Sequence, residues 1–260
     1  SGTPSNSLEI RITINPDDNP PVLDLNGPKP GIDSFIVFPE DSPPLAIAED
    51  IVITDPDSET LSVCVATINS LPDGTNELLL ISNYSSSRVS VPPFDRNTLS
   101  LSIQGPATVE EFTNVLRHLS YVNIDQNPDG SVIRKVSISC TDEDGVSTPP
   151  GSIPIVSIQV NPTPDPTLVD TNGPSPGVNS STFIPPEDSS VDILPDIILS
   201  DPDSTQIEFC TVSLGRPAFE GEGFSLDPGT FDTGDYPLEW SWDPNTGVLL
   251  ISGPSTIDTF

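Results

Sequence analysis

The sequence predicts an all-β chain of two tandem β-sandwich units, the second incomplete, with one short helix in the first. Two observations carry this. The chain matches itself at a period of roughly 146 residues, long enough for one whole domain per repeat. Asp24-Leu25-Asn26-Gly27-Pro28-Lys29-Pro30-Gly31 returns as Asp170-Thr171-Asn172-Gly173-Pro174-Ser175-Pro176-Gly177, and Pro39-Glu40-Asp41-Ser42 returns as Pro186-Glu187-Asp188-Ser189. Asp55-Pro56-Asp57-Ser58 matches Asp201-Pro202-Asp203-Ser204, Cys64 matches Cys210, and Gly105-Pro106 matches Gly253-Pro254. The second observation is strict alternation between proline-marked connections, as in Leu99-Ser100-Leu101-Ser102-Ile103 and Lys135-Val136-Ser137-Ile138-Ser139. Alternation of period two is the pattern of half-buried strands, and proline belongs at their edges and turns.

The repeat sets the boundaries. Residues 8–16 match residues 154–162, so 1–15 reads as the closing strand of a preceding or neighbouring domain, with Leu8, Ile10, Ile12 and Ile14 on one side. Residues 16–162 are the first sandwich repeat. Residues 163–260 are the second, which stops at the counterpart of position 112. The expectation is head-to-tail assembly, the N-terminal strand continuing or entering the open domain of a neighbouring unit. There is no methionine, so Ser1 reads as the start of an excerpted or processed piece.

Within the first repeat the alternation predicts strands near 35–38, 51–54, 61–68, 77–82, 88–91, 99–103, 133–140 and 155–160. Seven to nine short strands in ~140 residues suit a sandwich. One stretch departs from period two. Thr108 is a good N-cap, Glu111 completes a capping box, and Val109, Phe112, Val115, Leu116 and Leu119 share a helical face, which predicts a helix over 109–119. The lone histidine, His118, falls on its outer side and reads as a surface residue.

Composition limits the partners. Thirty-nine acidic against eight basic residues give a formal charge of -31. Such a chain repels phosphates and anionic membranes, so neither nucleic acid nor membrane insertion is expected, and carboxylates at this density favour cations. One histidine, no glycine-rich phosphate loop and no nucleophile-base constellation argue against an enzyme. Few lysines and two sequons, at Asn83 and Asn179, point to an extracellular or cell-surface glycoprotein.

The acids gather at the expected junctions: Asp17-Asp18-Asn19, Asp55-Pro56-Asp57 and Asp142-Glu143-Asp144-Gly145. Calcium takes about six to eight oxygen ligands from flexible segments. These loops would emerge at the same end of a sandwich, either as a cation site or as solvated acidic turns. Here the residues carry a resemblance. Asn15-Pro16-Asp17-Asp18-Asn19-Pro20-Pro21 resembles the acidic linker of cadherins, Pro39-Glu40-Asp41 their early proline-glutamate motif, Asp55-Pro56-Asp57-Ser58 their acidic pair, and Cys140-Thr141-Asp142-Glu143-Asp144-Gly145 their late aspartate-glycine turn. Across essentially the whole chain the arrangement is similar to the cadherin-like, immunoglobulin-like repeats of large adhesins. That resemblance implies a Ca2+ cluster of Asp17, Asp18, Asn19, Asp55, Asp57 and Asp142, and a second of Glu40, Asp165, Asp201 and Asp203. The second linker, Asn161-Pro162-Thr163-Pro164-Asp165-Pro166, has lost acids, and the cadherin leucine-aspartate-arginine-glutamate motif is absent.

Cys64 and Cys140 fall on strands expected to be neighbours in one sheet, either as a disulfide in an oxidising compartment or as two buried thiols. Trp240 and Trp242, at spacing two, share one face of a strand, either as a glycan- or protein-docking surface near Phe224 and Phe231 or as core. The leading function is therefore a structural protomer of an extracellular fibre or tandem-repeat adhesin with calcium-stiffened joints. The alternative is a glycan- or protein-binding adhesion module.

Overall fold

In a computed structural model, described for residues 10–13, 17–84, 86–184, 190–226 and 238–260, the chain is all-β and divides into two compact units, Ser1–Thr163 and Pro164–Phe260. The first unit holds β1 (Val22–Asp24), β2 (Ser34–Pro39), β3 (Leu45–Ala46), β4 (Val52–Thr54), β5 (Thr60–Ile68), β6 (Glu77–Ile81), β7 (Ser100–Thr108), α1 (Val109–Leu116), β8 (Leu119–Asn123), β9 (Arg134–Asp142) and β10 (Ile155–Asn161). One sheet runs β2-β10-β9-β5-β7, a second β3-β8-β6, and β1 pairs with β4. Only β10 with β2 is parallel among these pairs.

Alternation decides which side chains fill the space between the sheets. Leu61, Cys64, Ala66 and Ile68 of β5 point inward with Leu101 and Ile103 of β7 and Val136, Ile138 and Cys140 of β9, all at 2% exposure or less. From the other sheet come Leu79 and Tyr121, and Tyr121 meets Phe38 edge-on at 5.0 Å. Cys64 and Cys140 are directly opposed across β5 and β9 and joined as a disulfide. A cross-link between residues 76 apart stabilises by about 4 kcal/mol through the loop entropy removed from the unfolded chain.

Arg134 and Glu77 lie in phase with the apolar positions of β9 and β6, so both are carried fully into the interior. There they satisfy one another. The guanidinium meets Asp73 Oδ2 at 2.7 Å and Glu77 Oε1 at 3.1 Å, and also donates to the carbonyl of Val132 at 2.7 Å. Tyr121 donates to Glu77 Oε2 at 2.8 Å and Asn123 to Asp73 Oδ2 at 2.6 Å. Buried charges persist when paired and fully hydrogen-bonded, as these are.

The helix begins where capping chemistry places it: the Thr108 hydroxyl accepts from the Glu111 amide at 3.2 Å. The capping box is only half formed, since the Glu111 carboxylate accepts from Tyr84. The helix stops at Leu116, shorter than the expected 109–119, because Leu119 opens β8 and pairs with Ile81. His118 is half-buried rather than solvated, with Nδ1 at 2.9 Å from the Asn114 carbonyl and its ring against Tyr84. The strand expected at 88–91 is reduced to one bridge, Ser90 to Gln104; Pro92 and Pro93 follow it and have no N–H to extend a ladder.

The second unit comprises β11 (Leu168–Asp170), β12 (Ile198–Ser200), β13 (Gln206–Ser213), β14 (Glu239–Asp243) and β15 (Val248–Thr256), with sheets β11-β12 and β13-β15-β14. Its likeness to the first extends to single bonds. Asn26 Nδ2 reaches the Pro30 carbonyl at 3.2 Å and Asn172 Nδ2 the Pro176 carbonyl at the same distance. Gly27 and Gly173 hold φ of 61° and 60°, a left-handed turn that glycine adopts freely. The register slips at Leu61/Val63 in β5 and at the matched Ile207/Phe209 in β13.

Candidate functional site

The acidic cluster of the first unit is built by three short segments. After β4, the Asp55 carboxylate turns back on its own loop, Oδ1 accepting from the amides of Asp57 at 3.2 Å and Ser58 at 2.9 Å. At the end of β9 the Asp142 carboxylate does the same, Oδ1 accepting from Asp144 at 3.0 Å and Val146 at 2.8 Å. The third segment approaches from the N-terminal side. The Asn19 amide and its side-chain Nδ2 both donate to Asp57, the latter at 2.9 Å to Oδ2, fixing 17–19 against 55–57.

Two oxygens are left over. Oδ2 of Asp55 and Oδ2 of Asp142 are out of solvent and have no hydrogen-bond partner, and Asp142 is fully buried. A buried acceptor without a donor costs about 1–3 kcal/mol, and more when it is charged. Exposed Asp18 completes the cluster. Its pKa is raised, by partial desolvation and then by the carboxylates of Asp142, Asp144, Asp57 and Asp55. That of Asp57 is lowered, first by the hydrogen bond from the Asn19 side chain. Of the six residues expected from the resemblance, Asp18, Asn19, Asp55, Asp57 and Asp142 belong to one neighbourhood, and Asp17 joins it through its backbone carbonyl, which accepts from Asn19 Nδ2 at 3.4 Å. Among the described residues no three histidine, cysteine, aspartate or glutamate side chains already converge as a metal cage.

The remaining four candidates are arranged differently. Glu40 belongs to the first unit, is nearly buried, and accepts from the Thr163 amide at 2.6 Å. Asp165, Asp201 and Asp203 belong to the second. The Asp165 amide donates to Asp203 Oδ2 at 3.0 Å, as Asn19 does to Asp57. Asp201 has both oxygens engaged: Oδ1 accepts from Asp203 and Ser204, and Oδ2 accepts from the Thr167 hydroxyl at 2.7 Å. The Thr167 bond is the main reason its pKa is lowered. The counterpart of Asp18 is Pro164, so the central acid is missing there.

Other expected residues fall as follows. Asn83 and Asn179 are both exposed. Ile10 and Ile12 are exposed and outside any strand; Leu8 and Ile14 lie outside the described residues, as does Phe231. Trp240 and Trp242 do share one face of β14. Their cross-strand partners on β15 are Ile251 and Leu249, so the face is the one that buries those two residues. Trp242 packs edge-on against Phe224 at 5.4 Å, while Trp240 is 44% exposed.

No family model and no curated protein matches this chain. Among solved structures it is similar to the sialic-acid-binding region of an adhesin of Streptococcus sanguinis SK1 bound to 3'sLn, at 13% identity, with 93% of this chain and 70% of that one covered. The TM-score is 0.26. No helix among the described residues is long and apolar enough to cross a membrane.

Sequence reasoning located the acidic cluster by motif but missed the buried network of Arg134, Asp73 and Glu77. Its signal was present: a charged residue standing in phase with Val136, Ile138 and Cys140.

Proposed function

We propose that the chain is a structural segment of an extracellular or cell-surface repeat protein of the adhesin type, whose first unit is held by a bound calcium ion. The observation that carries this is the pair of unpartnered buried oxygens, Asp55 Oδ2 and Asp142 Oδ2, beside an Asp18 crowded by carboxylates. Repulsion keeps such a cluster spread when no cation is bound, and a hard divalent ion that prefers oxygen from mobile loops offsets it. Asp17, Asp18, Asn19, Asp55, Asp57 and Asp142 would hold the ion, which would supply positive charge that no basic residue provides there. Tandem repetition of the unit supports a linear array of such modules in which adhesion is distributed along many copies.

Melting the protein in calcium and in a chelator tests the cation. The expected result is a higher midpoint in calcium, with saturable binding by calorimetry. An identical midpoint in both would remove the calcium site from the account.

A second reading, a glycan-binding module, is supported by the half-exposed indole of Trp240 on β14. Tryptophan emission recorded against a panel of sialylated and neutral glycans tests it, and a flat response throughout would set it aside.

A further inference from the structure

The five-stranded sheet of the first unit, β2-β10-β9-β5-β7, turns one face to the core and the other outward. Register sets the outward side chains level with one another. Ser137 lies beside Thr67 and Thr67 beside Ser100, while Ser139 lies beside Val65 and Val65 beside Ser102. Small side chains of similar height make an even surface, against which a second sheet packs closely. At the β2 border Phe35 and Val37 are 61% and 48% exposed, with Ser157 and Gln159 of β10 level with them.

Charge sets this face apart from the loops. The chain carries 39 acidic residues, yet none stands at an outward position of these five strands, where Lys135 is the one charged side chain. Acids resume at its corners, with Asp33 just before β2 and Glu143 just after β9. The polar groups on the face are serine, threonine and glutamine, each both donor and acceptor, whereas a carboxylate only accepts. Among the described residues the hydroxyls of Ser102, Ser139 and Ser157 make no hydrogen bond to protein, so they are open to a partner. A surface of this kind satisfies the same surface on another molecule. It also lets two chains of charge -31 meet without opposing carboxylates.

We propose that this face is a lateral contact between two copies of the chain, stacked outer face to outer face about a twofold axis, with Ser139 and Ser102 inside the contact and Phe35 and Val37 at its border. Five strands about 4.8 Å apart and about seven residues at about 3.4 Å each give roughly 500 Å2 per copy, or about 1,000 Å2 together, the lower limit for a specific association. One such contact is therefore weak. It gains strength when arrays pair side by side along several repeats, a use that rests on the repeat-array reading above. The contact itself uses only the sheet of the first unit and needs no calcium.

Sedimentation velocity of the intact 260-residue protein in chelator, over a wide concentration range, tests the contact without cation bridging between acids. A monomer–dimer equilibrium that tightens at least threefold when sodium chloride is raised from 0.05 to 0.5 M is the expected result, since salt screens the repulsion between the two chains. Ser139→Glu and Ser102→Glu should each weaken the dimer at least tenfold, while Thr75→Glu, which adds the same charge on the turn before β6, should leave it unchanged. Thermal melts of the three variants matching the parent show that each is folded. Phe35→Ser should weaken the dimer less than either glutamate does. A monomer at every concentration and salt would overturn the proposal. So would a dimer indifferent to both Ser139→Glu and Ser102→Glu, which would place the association elsewhere. A monomer that binds neutral glycans and loses them on Ser139→Glu would make the face a sugar platform and overturn it equally. Because calcium is absent throughout, these outcomes are read separately from the calcium melt.

Discussion

Thr167 donates its hydroxyl to Oδ2 of Asp201 at 2.7 Å, at the repeat position where Pro21 leaves Oδ2 of Asp55 without a donor. One side chain therefore separates a carboxylate that is open to a cation from one already satisfied. Pro21→Thr is expected to install the same hydrogen bond in the first unit and to weaken calcium binding about tenfold, since a bond to a charged acceptor must then be broken first. Calorimetric titration measures this. An unchanged dissociation constant would mean that Asp55 does not ligate.

Asp142→Asn keeps the oxygen that accepts from Asp144 and Val146 and removes a negative charge facing Asp18. Without calcium the variant should be as stable as the parent or more so. With calcium at a hundred times the parent's dissociation constant, the parent gains about 2.7 kcal/mol by linkage and the variant should gain almost none. Paired denaturant melts read both numbers.

The visible part of the fold was the part written in local periodicity. Alternation marked β5, β7, β9 and β10, and the Thr108 cap with the spacing of Phe112, Val115 and Leu116 marked α1. What periodicity cannot show is whether a strand finds a partner. Residues 88–91 alternate, yet Pro92 and Pro93 leave only the Ser90 bridge; in the second unit Trp240 and Ser241 stand where those prolines fall, and β14 runs through them. The acids of the candidate site were legible as motifs. That Asp142 is wholly buried and that Thr167 engages Asp201 depend on which chains pack beside them, and no local pattern states it.

Arg134→Met should cost about 3–5 kcal/mol, because it leaves Asp73 and Glu77 as buried charges without their counter-ion. Urea unfolding followed by tyrosine and tryptophan emission measures the loss. Combining it with Glu77→Gln should restore part of the stability, as both changes then remove charge from the same interior site. A loss of well under 1 kcal/mol for Arg134→Met alone would show that the pairing is dispensable.

Glu222 in the second unit accepts from Arg216 through both oxygens, at 2.7 and 3.0 Å, and from the Phe219 amide, which together hold its pKa at about 2. Its folded value lies below its unfolded one, so the pair is complete above the ordinary glutamate range and is lost as pH falls towards about 2. Carboxyl chemical shifts followed through acid titration should place Glu222 well below the other exposed glutamates. Arg216→Gln should return it towards them.

The parallel pairing of β10 with β2 has a consequence for how such a protein is made. Asp33 and Ile155, joined through the Ile155 amide, stand 122 residues apart, and β2 has no other strand partner among the described residues. Such long-range pairing makes for slow folding. On the ribosome the first sandwich cannot close until nearly its whole length has emerged, and its early strands wait with open edges while the rest is synthesised. In a long array of these repeats, each unit would have to finish this wait before the matching strands of the next appeared, or risk pairing with them instead.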